Sequence, residues 1–382
     1  MSYKIAYATG SRADYGIVRK YLDYLNKDER IELDILVTGS LLEEQYGNSY
    51  HIIEEDGLNI ASKIPLYLDS SLNSKIIKSM AIALEEFGEY FQNNRYDLLI
   101  ILGDRYEMLS VATAAAMNKI PILHIHGGEI TLGNYDEFIR HSITKMAHYH
   151  FTATEEYRKR IVQLGEHPEN VFNIGAMGSE NCKIIDCNNV SSDIISLPNK
   201  NYFVVLFHPE TLTDKRPIEQ INVLLTAVNN FVHKYKFVFI GSNADTGSNE
   251  IREAEKDFIN ENENTIYYEN LHPDAYHYLV KHSIALVGNS SSGIIEVPTL
   301  GTYTINIGDR QKGRVRGDSV LDIDCSIESI ELAIYKVIYS ETKDEFDNPY
   351  YQEKSSLKAF KNTIKLLKND KKIKEFYDLN IL

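Results

Sequence analysis

The sequence predicts an α/β protein of two parallel-sheet domains separated by a cleft, and three observations carry that expectation. Short apolar runs alternate with longer segments of helical periodicity along the whole chain, the pattern of β-α units whose helices cover a sheet on both faces. The series stops near residue 175 and restarts near residue 202. The length, 382 residues, is too great for one ordinary doubly wound domain and suits two. The architecture expected is therefore two Rossmann-like domains.

In the first half, strands are expected at residues 4–8, 32–37, 97–102, 121–125 and 150–153, with helices at 73–92 and 105–117. Residues 175–200 are rich in Asn and Ser, lack periodicity and contain Pro198, so they read as a linker with the boundary near residue 198. The second half offers strands at 202–207, 236–240, 265–268, 284–287 and 302–307, and helices at 217–234 and 249–259. Residues 357–376 are Lys-rich with apolar positions at helical spacing, the signature of a closing amphipathic helix packed on the outside. The division expected is residues 1–197, including the linker at 175–197, then 198–352, then a C-terminal helical segment at 353–382.

Composition narrows the function. With 43% hydrophobic and 25% charged residues the chain is a folded globular protein. No apolar run is long enough to span a bilayer, and the N-terminus enters a strand without the pattern of a signal peptide, so a cytoplasmic location is expected. Cys182, Cys187 and Cys325 form no C-x-x-C pair and leave an odd count, which argues against a disulfide framework and a cysteine zinc site. A net charge of −15 argues against nucleic acid or an anionic membrane as partner. Against that background Arg310, Lys312, Arg314 and Arg316 gather in one short segment, either a solvated loop or a local site for an anionic small molecule.

Ligands of open α/β sheets bind beyond the carboxyl ends of the strands, and here those ends are polar. They read Thr9-Gly-Ser-Arg-Ala-Asp-Tyr-Gly16, Gly103-Asp-Arg105, His124-Ile-His-Gly-Gly-Glu129, His208-Pro-Glu210, Gly241-Ser-Asn-Ala-Asp245 and Gly288-Asn-Ser-Ser-Ser-Gly293. Any one is explained as a turn with a helix cap; six, drawn from both halves, point to a shared site. The N–H groups and hydroxyls of residues 288–293 precede a helix-like segment at 294–300 and suit a diphosphate. Glu296 then suits a ribose diol, or else serves the helix dipole. Neither G-x-G-x-x-G nor G-x-x-x-x-G-K-[ST] occurs, which argues against a nicotinamide enzyme and a P-loop NTPase. His124 and His126 would face the same way on a strand, but no third ligand has recognisable spacing, so proton transfer or hydrogen bonding is expected and a metal is not. His208 suits phosphate or acid/base contact, or a capped structural role. Asp104, Glu129 and Asp136 form the candidate carboxylate set, while residues 54–56 look like an exposed helix end.

Taken with Tyr135-Asp-Glu-Phe-Ile-Arg-His-Ser-Ile-Thr-Lys145 and Ile307-Gly-Asp-Arg-Gln-Lys-Gly-Arg314, these motifs make the chain resemble, end to end, the hydrolysing UDP-N-acetylglucosamine 2-epimerases of sialic acid biosynthesis. The resemblance implies a GT-B-type fold and conversion of UDP-N-acetylglucosamine and water to N-acetylmannosamine and UDP. The family reaction removes the proton at sugar C2 as UDP leaves C1, forms a 2-acetamidoglucal, and adds water with inversion at C2. It implies Arg12, His208, Ser290 and Ser291 on the diphosphate, with Arg105 nearby and Arg310 closing on the nucleotide. Asn243 and Glu296 match positions that hold uridine and ribose, and Asp104 and Asp136 match the acid/base pair. Several relatives carry Glu where this chain has His126, which leaves the role to the imidazole or to Glu129. That departure also resembles enzymes acting on a UDP-2,4-diacetamido-2,4,6-trideoxyglucose for legionaminic acid. The resemblance implies no cofactor, a nucleotide-sugar substrate, and a homo-oligomer, dimer or tetramer. A non-hydrolysing epimerase, a glycosyltransferase of the same fold and a non-catalytic sugar-nucleotide sensor are the competing readings.

Overall fold

Where apolar residues run without interruption, both faces of a strand are buried, and these runs form the centres of two parallel sheets. The computed structural model describes residues 2–69, 71–242, 245–341, 343–368 and 373–379. The first sheet contains β1 (Tyr3–Thr9), β2 (Ile31–Thr38), β3 (Ile60–Ile64), β4 (Leu98–Leu102), β5 (Ile122–Ile125), β6 (Tyr149–Thr152) and β7 (Val171–Asn173), in the order 3-2-1-4-5-6-7. The second contains β8 (Tyr202–Leu206), β9 (Lys236–Ile240), β10 (Thr265–Tyr268), β11 (Ala285–Gly288), β12 (Tyr303–Ile307) and β13 (Val320–Ile323), in the order 10-9-8-11-12-13. Every pairing is parallel.

Each order reverses once, between β1 and β4 and between β8 and β11, and a crevice opens at such a switch point. Register then decides what fills it. Ala8 pairs with Ile101 and Gly288 with Leu206, so the chain leaves both strands of each pair at the same level. Gly10 thereby emerges beside Gly103, and Phe207-His208 beside Asn289-Ser290.

Three strands escape the sequence reading: β3, β7 and β13. β3 and β13 are half-exposed and β7 has three residues, so none presents the continuous apolar run that marks β4 or β8. The segment at 175–200 contains short helices at Met177–Asn181 and Ser192–Ile195, with Met177 and Ser179 buried. Two of its polar residues reach the two halves: Asn181 Nδ2 donates to Gly16 O and Ile17 O at 3.1 and 3.0 Å, and Ser179 Oγ to Ile295 O at 2.6 Å. Residues 177–181 thereby tie the halves together.

The C-terminal helix spans Ser355–Leu367, shorter than the 357–376 expected, and residues 373–379 are not helical. Its apolar face lies on the first-half helix Arg12–Asn26, where Tyr21 Oη meets Thr363 Oγ1 at 2.7 Å and the rings of Tyr24 and Phe360 are 5.9 Å apart. Among the described residues no helix is long and apolar enough to cross a membrane.

Candidate active site

Cations with unused donors line the cleft. Arg12 opens the helix Arg12–Asn26, which Ser11 caps by accepting from Asp14 N at 3.2 Å. Among the described residues its guanidinium has neither a hydrogen-bond acceptor nor a carboxylate, and burial lowers its pKa to about 10. Arg105 gives Nε to Glu107 Oε1 at 2.5 Å and lies 3.9 Å from Asp245, but its Nη2 is buried with no acceptor among the described residues. Arg310, from the turn after β12, gives Nη1 to Asn289 O at 3.2 Å and lies 3.6 Å from Asp245, while its Nε is likewise without an acceptor. Leaving charged donors unsatisfied in a buried site is costly, so three cations together suit a polyanionic ligand.

The ends of β8 and β11 are tied to each other by Asn289, whose Oδ1 accepts from His208 N and whose Nδ2 donates to His208 O, both at 2.8 Å. Burial, then Arg310 and Arg105, push the His208 imidazole well below its ordinary pKa, so it meets the cleft neutral. Ser290 and Ser291 line the cleft ahead of a single helical turn, Ser292–Ile295, and a 3-10 turn, Val297–Leu300. The expected helix at 294–300 is thus broken at Glu296, which lines the cleft with Oε2 3.3 Å from His277 Nε2. Together with Cys182 these two make the one trio of metal-capable donors found among the described residues, their ligand atoms within 4.8 Å of one another.

The same cleft holds carboxyls in contrasting surroundings. Arg140 is fully buried and gives Nε to Asp104 Oδ2 at 2.7 Å, Nη1 to Glu129 O at 2.8 Å and Nη2 to Thr131 Oγ1 at 2.7 Å. Asp136 begins the helix Asp136–Met146, and burial, then the charge of Asp104, raise its carboxyl to about 6 against the pull of Arg310. Asp14 has a buried Oδ2 with no hydrogen-bond donor among the described residues, and burial lifts it to about 7.

His124 and His126 part company at the end of β5. His124 is wholly buried, with Nε2 2.7 Å from Gly103 O and Nδ1 3.1 Å from Thr144 Oγ1, and burial lowers it to about 3. It is a structural imidazole. His126 leaves the strand with φ +66°, so the two rings do not share a face as a strand would require. Its Nδ1 lies 2.6 Å from Glu129 Oε1. The other Glu129 oxygen is ion-paired with Arg314, which comes from the second half. The intervening Gly128 has φ +80°, and a Cβ there would fall 2.5 Å from Tyr157 O.

Arg12, Asp104, Arg105, His126, Glu129, Asp136, His208, Ser290, Ser291, Glu296 and Arg310 all line this one cleft. Asn243 lies outside the described residues. Sequence reasoning gave no role to Asp14 or Arg140 and took Arg314 only as part of a basic run. All three stand inside the quoted motifs, but only the fold shows that Arg140 is buried and that Arg314 crosses to the other half. The group at 54–56 is also more than an exposed end, because Asp56 pairs with both Tyr15 and Arg19.

Two parallel sheets meeting at their switch points over a shared cleft define a protein of the GT-B-like class. The profile of the UDP-N-acetylglucosamine 2-epimerase family matches residues 23–364, and the chain belongs to that family. It is 46% identical to the polysialic acid biosynthesis protein P7 of Escherichia coli over 98% of this chain and 97% of that protein. It is 36% identical to a GDP/UDP-N,N'-diacetylbacillosamine 2-epimerase (hydrolyzing) of Campylobacter jejuni, over 89% and 88%. The UDP-GlcNAc 2-epimerase of Methanocaldococcus jannaschii, solved in complex with UDP-GlcNAc and UDP, superposes with a TM-score of 0.79 at 16% identity, covering 95% of this chain and 99% of that one.

Proposed function

We propose that this chain is a cytoplasmic hydrolysing 2-epimerase that converts UDP-N-acetylglucosamine and water to N-acetylmannosamine and UDP, the first step towards sialic acid. The observation that carries the reading is the convergence on one cleft of Arg12, Arg105 and Arg310, with donors unused, and of Asp104, Asp136 and His126. A diphosphate held by the arginines brings the sugar to the carboxyls and the imidazole. Departure of UDP from C1 places negative charge on the diphosphate, where fixed cations in a water-poor site stabilise it most. Ser290 and Ser291 add hydroxyl donors beside it, neutral His208 adds an imidazole N–H, and Glu296 faces the ribose. Asp104, anchored by Arg140, and Asp136, held near 6, form an acid/base pair whose surroundings differ as such a pair requires.

A second substrate has specific support: the Campylobacter relative and a 34% identical Legionella pneumophila protein are both named as 2-epimerases (hydrolyzing) of N,N'-diacetylbacillosamine nucleotides. Proton NMR in deuterated water, with each UDP-sugar offered separately, tests both. Free N-acetylmannosamine deuterated at C2, with UDP released, supports the first reading; turnover of the diacetamido sugar alone replaces it with the second. UDP binding without turnover of either removes both.

A further inference from the structure

His126 stands in a backbone conformation that a β-carbon disfavours, φ +66°, and such strain persists only where the surroundings impose it. What imposes it here is visible. The amide of His126 donates to Phe151 O at 2.9 Å, and two glycines follow with no room for side chains. The chain turns back so that Glu129 accepts from Nδ1 at 2.6 Å. With the proton on Nδ1, the lone pair lies on Nε2, which has no hydrogen-bond partner among the described residues, on a ring that lines the cleft.

Glu129 is badly placed to be a base itself. One carboxylate oxygen faces His126 and the other Arg314, and its side chain is 2% exposed. Burial alone would raise its carboxyl, but Arg314 and then His126 outweigh burial and hold it at about 2. An imidazole oriented through Nδ1 by a buried carboxylate is the arrangement of a general base.

We infer that His126 is the residue that takes the C2 proton, with Glu129 and, from the opposite half, Arg314 as its positioning residues; this rests on the epimerase reading above. Nε2 accepts the proton, the C2–H electron pair becomes the C1–C2 double bond, and the C1–O pair leaves with the diphosphate of UDP. The imidazolium that results is neutralised by Glu129. Asp104 and Asp136 are then left for the second stage, activation of water for C1 and delivery of a proton to C2. Arg314 has a particular effect. Ion-paired with Glu129, it shares that carboxylate's charge and fixes the group that orients the ring. Other charged or titratable groups around the pair are Arg140, which donates to Glu129 O, Arg160, which donates to Gly128 O at 2.5 Å, Asp104 and Asp136 in the same cleft, and Tyr157 and Tyr350 behind it.

The test compares the whole enzyme with four variants, following C2 deuterium exchange, glucal release, UDP affinity and the pH profile of kcat/KM. His126→Ala should lose exchange and glucal release by at least about 100-fold, with UDP affinity changed less than about threefold, whereas Asp136→Asn should still release glucal. Arg314→Met should move the acid limb to higher pH by about one unit, and Glu129→Gln should move it to lower pH. A residue that merely joins the halves would lower the rate at every pH and leave the limb in place. If wild type exchanges and His126→Ala does too, or if neither limb moves, the relay is wrong while the epimerase reading stands. If wild type exchanges no C2 proton with either UDP-sugar, the reading fails and takes the relay with it.

Discussion

Arg140 Nε lies 2.7 Å from Asp104 Oδ2, and Arg140 is wholly shielded from solvent. The same guanidinium satisfies Glu137, Thr131 and the Glu129 carbonyl, so one side chain knits the strand end after β4 to the loop and helix after β5. Replacing it with Met strands Asp104 without its partner, while Glu137 keeps Thr131 N and His141. Arg140→Met should destabilise the protein by about 3–5 kcal/mol, as loss of one member of a buried ion pair does, and should abolish turnover. Urea denaturation checks the first part, and a stability change under about 1 kcal/mol would contradict it.

The arginines of the cleft make a separate prediction. Arg12→Ala and Arg310→Ala each remove charge-assisted donors to a diphosphate, at about 1.5–3 kcal/mol apiece, so UDP should bind about 10- to 150-fold more weakly. Calorimetric titration with UDP measures this, and wild-type affinity in both variants would move the nucleotide elsewhere.

Asp104 and Asp136 should separate binding from chemistry. Asp104→Asn and Asp136→Asn should keep UDP affinity within a few fold while kcat falls by about 10²–10⁴, the usual worth of a positioned acid or base. Near-normal turnover in both would remove them from the mechanism.

Asp14 offers a test through stability. Its carboxyl is raised by burial to about 7 in the fold, whereas in the unfolded chain it titrates near the ordinary aspartate value. From about pH 4 to about pH 7 the folded state therefore binds the extra proton, and raising the pH through that window favours unfolding. Asp14→Asn removes this dependence. The variant's advantage over wild type should grow between about pH 5 and about pH 8 by about 2–4 kcal/mol. Urea midpoints at the two pH values decide it; a constant difference would mean that Asp14 gains no proton on folding.

The central strands and most site residues were legible in the sequence because a parallel sheet buries both faces and ends in polar turns. LLIIL in β4 and YFVVL in β8 can hardly be anything else. β3 and β13 were not legible, since half-exposed strands lose the apolar run. The short helices within 175–200 were not legible, because Asn181 and Ser179 look like loop residues until the carbonyls they serve are seen. The pairing of Arg314 with Glu129 joins residues far apart in sequence, and the basic run around Arg314 gave no hint of a partner. His124 and His126 looked alike two residues apart, and the positive φ of His126, just past the strand end, with their different partners, tells them apart.

The helix Ser355–Leu367 lies on the first half although the whole second sheet precedes it in the chain. Tyr21, Leu22 and Leu25 share a buried cluster with Ala359 and Leu366. During synthesis the N-terminal half leaves the ribosome with that flank bare, and it stays bare until residue 367 has emerged. A chaperone therefore has a defined apolar surface to hold throughout translation of the second half. A message truncated before residue 355 would yield a protein with both sheets encoded and one permanently uncovered side.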